Sequence, residues 1–109
     1  MIFDKRWTVR DRYGNDIYLS EERWQHITDP ENHPEMMDYE DSLKEVICSS
    51  RRKQDPLNPQ KYRYSQEFLD LPEYNTHIVA IVLFRFNLGA NGQLISNNYI
   101  VTAYLKSVF

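Results

Sequence analysis

Residues 77–87, HIVAIVLFRFN, constrain this chain the most. The run is almost continuously apolar and rich in β-branched side chains, the pattern of a central strand buried on both faces. At 109 residues the chain has material for one core, so the rest must be arranged around that strand. It is read as a single domain, 1–109. No apolar run approaches the ~20 residues that span a bilayer. The opening MIFDKRWTVR lacks the apolar stretch of a secretory signal.

Two periods divide the chain. Residues 6–10 and 16–19 are short and rich in Trp, Val, Ile and Tyr, with the turn YGND between them, and predict a β-hairpin. Ser20 is placed to cap a helix over 21–28, with Glu21 and Glu22 in its first turn. Asp29-Pro30 ends it. Pro34 suits the first position of a second helix, 34–49, whose apolar face is Tyr39, Leu43, Val46 and Ile47. After that the period is two. Residues 61–69 alternate, with Tyr62 and Tyr64 on one side, and LGANGQLISNN reads as a turn or short hairpin loop. In the last strand, 98–106, alternation puts Tyr99, Val101, Ala103 and Leu105 on one face and Ile100, Thr102, Tyr104 and Lys106 on the other. The expectation is an α+β fold, with an N-terminal hairpin and two N-terminal helices packed on a mainly antiparallel sheet of about four strands.

Charge is distributed unevenly. The net charge is −3, yet residues 1–45 carry six Lys/Arg against twelve Asp/Glu, and residues 46–109 seven against four. The basic groups are densest at Arg51, Arg52, Lys53, Lys61 and Arg63. Such a cluster is either a solvated turn or the footprint of a polyanion. The face bearing Thr102, Tyr104 and Lys106, joined by Arg85, is likewise either a half-exposed sheet or a groove for a polyanion. A single Cys excludes an internal disulfide and a Cys-based zinc site, which suits the cytoplasm. Three glycines and no G-x-S-x-G argue against phosphate loops, dinucleotide domains and α/β-hydrolases.

Two of the three histidines lie in RWQHITDPENHPEM. No H-E-x-x-H is present, and His26 and His33 are seven residues apart with prolines between, so a metal pair is not expected. His26 falls one helical turn from Glu22 and Arg23, at a helix edge, where an imidazole is either a proton-transfer group or an ordinary surface residue. His33, before Pro34, suits a capping or loop-fixing role. His77 begins the central strand.

The run IYLSEERWQHITDPENHPEM resembles the early helix motif of the phage-type barnase–EndoU–colicin–RelE-like nucleases, in which a helix bearing an Arg and a His leads to a loop ending in His-Pro-Glu. The matching residues are Arg23, His26, His33, Pro34 and Glu35. NNYIVTAYLK resembles that group's closing strand, and ICSSRRKQD the end of its second helix and a following basic strand. The pattern departs at Asp55-Pro56, which comes several residues late, and in the negative net charge.

The resemblance implies a metal-independent endoribonuclease, without cofactor, acting as the toxin of a toxin–antitoxin pair and held by an antitoxin protein. RNA would be cleaved by its own 2′-OH, which calls for a base, an acid and donors to the phosphate. The implied catalytic set is His26, Arg52, Thr102 and Tyr104. The implied RNA contacts are Arg23, Arg51, Lys53, Arg63 and Lys106, with Tyr62 and Tyr64 stacking bases. The alternatives are an inactive RNA- or protein-binding module of the same fold and an immunity or antitoxin-like protein.

Overall fold

The computed structural model describes residues 4–108; residues 1–3 and 109, including the start of the N-terminal segment considered above, lie outside that range. β1 (Lys5–Arg10) and β2 (Asp16–Ser20) form the hairpin. Gly14, at φ +86°, closes its turn in the left-handed region that lacks a penalty only for glycine. α1 (Glu21–Thr28) follows without a linker, and a 3₁₀ segment (Pro34–Tyr39) runs into α2 (Glu40–Ser49). The chain then makes β3 (Arg52–Gln54), β4 (Lys61–Glu67), β5 (His77–Leu88) and β6 (Leu94–Lys106).

Among the described residues these strands form one sheet in the order β1-β2-β6-β5-β4-β3. This corrects the expected sheet of about four mainly antiparallel strands under two N-terminal helices. The sheet has six strands and is mixed, because β2 lies parallel to β6 at Ile17–Asn98 and Tyr18–Tyr99. That pairing joins the hairpin to the main sheet across some eighty residues, through the two helical stretches, and no local pattern announces it. At the other edge β3 has only three residues, Arg52-Lys53-Gln54, too few and too polar to show an alternation. The second helix is also corrected: its first turns, Pro34–Tyr39, are 3₁₀, with Met36 N–H bonded to the His33 carbonyl at 3.0 Å.

The apolar stripes of the helices cover one face of the sheet. Trp24 and Ile27 of α1, and Leu43, Val46 and Ile47 of α2, meet Ile17, Leu19, Ile78, Ala80, Val82 and Ile100. Each large aliphatic side chain removed from water here contributes about 1.5–3 kcal/mol. Ser20 ends β2 and begins α1, its Oγ accepting from Arg23 N–H at 3.1 Å. Ser20→Ala is expected to cost about 1 kcal/mol in urea unfolding, since a lost N-cap leaves that donor unpaired.

A bulge in β6 reverses the face assignment made from alternation. Pairing runs from Ile81–Thr102 to Val82–Ile100, leaving Val101 without an opposite residue. One extra residue shifts the phase of the pleat. Ile100 therefore joins Ala103 in the core, and Tyr99 turns outward with Thr102, Tyr104 and Lys106. The segment read as a loop before residue 98 is largely strand; only the tip turns, closed by Gly89 N–H to the Gln93 carbonyl at 2.7 Å.

Candidate functional site

The face of the sheet turned away from the helices carries a basic groove. Register fixes its composition. Lys53 of β3 lies opposite Arg63 of β4, which lies opposite Ile81 of β5, which lies opposite Thr102 of β6. Ser65, Val79 and Tyr104 form the next row, and Glu67, His77 and Lys106 the one after. Lys53, Lys61, Arg63, Ile81 and Tyr104 line one hollow of about 310 Å³. Arg51, Lys53, Arg63, Ser65, His77 and Lys106 line a second of about 470 Å³. Lys53 and Arg63 belong to both, so the two are halves of one channel.

The charges in this channel are poorly compensated. Lys61 meets Asp55 only loosely, at 3.8 Å. None of the ion pairs among the described residues includes Arg51, Lys53, Arg63 or Lys106. Like charges directly opposite across a ladder destabilise it, and Lys53–Arg63 is such a pair. An anion lying between them would turn that repulsion into attraction.

At the β6 side the channel meets an imidazole. The His33 ring lies 5.6 Å from the Tyr104 ring, centroid to centroid. The loop that carries it is tightly built. His33 N–H donates to the Ile27 carbonyl and Asn32 Nδ2 to the His26 carbonyl, both at 2.8 Å. Asp29 Oδ1 accepts from Glu31 N–H at 2.9 Å. The imidazole itself makes no capping bond to the 3₁₀ segment, and its Nδ1 sits 3.5 Å from Glu35 Oε1. The side chain is about a third exposed. His33 thus holds the N-cap position and fixes the loop through its backbone, without a side-chain cap, and its ring packs against Tyr104.

Other residues named from sequence fall in different places. Thr102, Tyr104, Arg51, Lys53, Arg63 and Lys106 share the open face. His26 is exposed on α1 and lines neither hollow of the groove. Arg23 is occupied: Nε and Nη2 donate to the Val101 carbonyl at 3.0 and 2.6 Å, satisfying the acceptor that the bulge leaves free. Tyr62 faces the helix side, packed edge-on against Phe84 at 5.0 Å.

Arg52, expected to be catalytic, and Tyr64, expected to stack a base, form a polar cluster with Asp11 on the helix side, and Arg52 also borders the second hollow. Tyr64 is 0% exposed, and its hydroxyl donates to Asp11 Oδ2 at 2.6 Å. Asp11 also accepts from the backbone N–H of Tyr13 and Asn15, at 2.9 and 2.8 Å. Arg52 Nη1 stands 3.7 Å from the same carboxylate, with its guanidinium packed over the rings of Tyr13, Tyr62 and Phe84 at 4.5, 4.2 and 5.0 Å. Burial pushes the Asp11 carboxyl up, but the bonds from Tyr64, Asn15 and Tyr13 outweigh it and hold it below its ordinary value. Burial, then the Asp11 bond, push the Tyr64 phenol well up. The cluster pins the β1–β2 turn to β3 and β4.

Sequence reasoning gave His33 a structural part and left Lys61 and Tyr99 out of the site. His33 and Lys61 were visible as residue types, one in His-Pro-Glu and one in the basic cluster, but their direction was not. Tyr99 was assigned to the wrong face for want of the bulge.

Among the described residues no three His, Cys, Asp or Glu side chains are grouped to hold a metal ion, and no helix is long and apolar enough to cross a membrane. Comparison with protein-family models, curated proteins and solved structures finds no match.

Proposed function

We propose that this protein is a metal-independent endoribonuclease of the barnase–EndoU–colicin–RelE-like kind, acting on RNA in the cytoplasm as the toxin of a toxin–antitoxin pair. The observation that carries this reading is Tyr104, whose ring meets the His33 imidazole while lining the groove with Lys53 and Arg63. An imidazole thus touches a face that carries hydroxyl donors and uncompensated cations.

Cleavage would proceed by transfer of the 2′-OH proton to a base as that oxygen attacks phosphorus. The bond to the 5′-oxygen breaks, and an acid protonates the departing oxygen, leaving a 2′,3′-cyclic phosphate. His33, whose ring packs on Tyr104, would be one proton-transfer group, and His26, exposed on α1 one turn beyond Arg23, the other. Thr102 and Tyr104 offer hydroxyls to the non-bridging oxygens, and Arg63 and Lys53 supply positive charge. A protein antitoxin would dock on this face through acidic side chains, which also explains how a chain of net −3 holds a polyanion: the charge that matters is local.

The test is incubation of the wild-type protein with total RNA in EDTA, together with RNA affinity measured against salt. Cleavage is expected. Engagement of about four phosphates by Arg51, Lys53, Arg63 and Lys106 predicts a log–log salt slope near −3 for single strands. Absence of both cleavage and low-salt affinity would overturn the reading, whereas affinity without cleavage would leave a binding module.

A further inference from the structure

A second concavity lies on the same face, farther along β6. It is bounded by Tyr18, Glu22, Arg23, Asn97 and Tyr99 and holds about 360 Å³, toward the small end of ligand pockets. We infer that it is a nucleobase subsite, taking one unpaired base of an RNA strand whose backbone lies in the basic groove. The inference rests on the proposed RNA-cleaving function and assigns that site its base contact.

The aromatic rings there are not core residues. β2 sends Ile17 and Leu19 into the core and Tyr18 to the opposite face, and the β6 bulge turns Tyr99 to the same side. The two rings lie 6.0 Å apart at 38° and are both half-buried. Lys5 Nζ sits over the Tyr18 ring at 4.5 Å, so Tyr99 is the more open platform. Stacking on such a ring needs only the π-face that every base has.

The rim adds polar groups. The Tyr18 hydroxyl donates to Asn97 Oδ1 at 2.8 Å, which fixes the amide and leaves its NH₂ to donate elsewhere. Glu22 is exposed at the pocket wall and enters none of the ion pairs among the described residues. An amide beside a carboxylate suits a base that offers an exocyclic amino group next to a ring acceptor. Uracil placed the same way turns a carbonyl oxygen to the carboxylate and its N3–H to the amide donor, so both contacts are lost in that pose. An adenine-type edge is therefore favoured over uracil.

Position ties the pocket to the chemistry. Arg23 forms its wall and grips the carbonyl of Val101, the residue before Thr102. Tyr99, Thr102, Tyr104 and Lys106 follow one another on one strand and one face. Opposite Asn97, register puts Arg85, exposed and on the same side, where it can meet the phosphate of the stacked nucleotide.

The experiment uses short 2′-O-methyl oligoribonucleotides, which cannot be cleaved through the 2′-OH, in fluorescence-anisotropy titrations at fixed salt. The probes are an adenylate strand, a uridylate strand and an abasic strand of equal length. Wild type is expected to bind the adenylate strand about five- to a hundredfold more tightly than the abasic one, with uridylate between them. Tyr99→Ala should collapse that ratio toward one while leaving abasic affinity unchanged, and Tyr99→Phe, which keeps the ring, should retain it. Lys53→Ala should weaken all three strands alike. Equal, measurable binding of all three strands by wild type would overturn the subsite and leave the phosphate-binding face standing. A ratio that survives Tyr99→Ala would overturn the assignment to this pocket. Binding of none would overturn the subsite, and together with no cleavage of total RNA it would overturn the RNA-cleaving function beneath it.

Discussion

Replacing His33 with alanine is expected to lower the proposed RNA cleavage rate by about 10²- to 10⁴-fold, the usual worth of one positioned proton-transfer group, and to leave the fold in place. The second half of this expectation comes from the geometry. His33 is about a third exposed, makes no side-chain cap to the 3₁₀ segment, and keeps its loop in place through its backbone N–H, which alanine retains. Its remaining contacts are the Tyr104 ring and a 3.5 Å approach to Glu35. A stability change of less than about 1 kcal/mol is therefore expected, as for other partly exposed positions. Initial cleavage rates and urea unfolding of His33→Ala and His26→Ala, measured side by side, separate the roles. Full activity in His33→Ala with loss in His26→Ala would return the essential proton transfer to the helix. Loss of folding in His33→Ala would make this histidine structural.

Asp11→Ala is expected to lose about 3–5 kcal/mol of stability, the cost of removing one partner from a buried ion pair. The replaced carboxylate accepts from Tyr64, Tyr13 and Asn15 and faces Arg52, so its loss strands a phenol, two backbone N–H groups and a guanidinium. At about 4–8 °C per kcal/mol for a domain near this size, the melting temperature falls by more than ~10 °C. Because Asp11 titrates below its ordinary value when folded, its stabilisation is whole above pH ~4–5. It declines as pH falls below ~4 and is gone once pH passes below the folded-state value. Glu40, held low first by its bond from Arg6, adds to the same acid limb. Urea unfolding from pH 2 to 7 should show a shallower limb in Asp11→Asn than in wild type. An unchanged limb would remove Asp11 from the balance.

These two residues show what was legible. Histidine in His-Pro-Glu and a basic Arg-Arg-Lys run are visible in one dimension, and both mark the neighbourhood of the groove. Arg51, Arg52 and Lys53 looked alike in sequence. A strand alternates its side chains, so Arg52 turns inward to Asp11 while Lys53 turns outward to Arg63. Tyr62 and Tyr64 share a face as alternation predicts, but that face is the covered one.

By itself, the sequence determined the elements that rest on local chemistry. The central run 77–87 had to be a strand, Ser20 had to begin a helix, Pro34 a second helical stretch, and YGND a turn. Those choices depend on side-chain shape, capping and φ preference within a few residues. Only the tertiary structure decided the parallel contact of β2 with β6, the addition of β3 at the far edge and the bulge at Val101. Each depends on which distant backbone supplies the hydrogen-bonding partner. One bulged residue reverses every side chain beyond it, so the face on which Tyr99 lies was settled by its opposite, Leu83, and not by its neighbours in the chain.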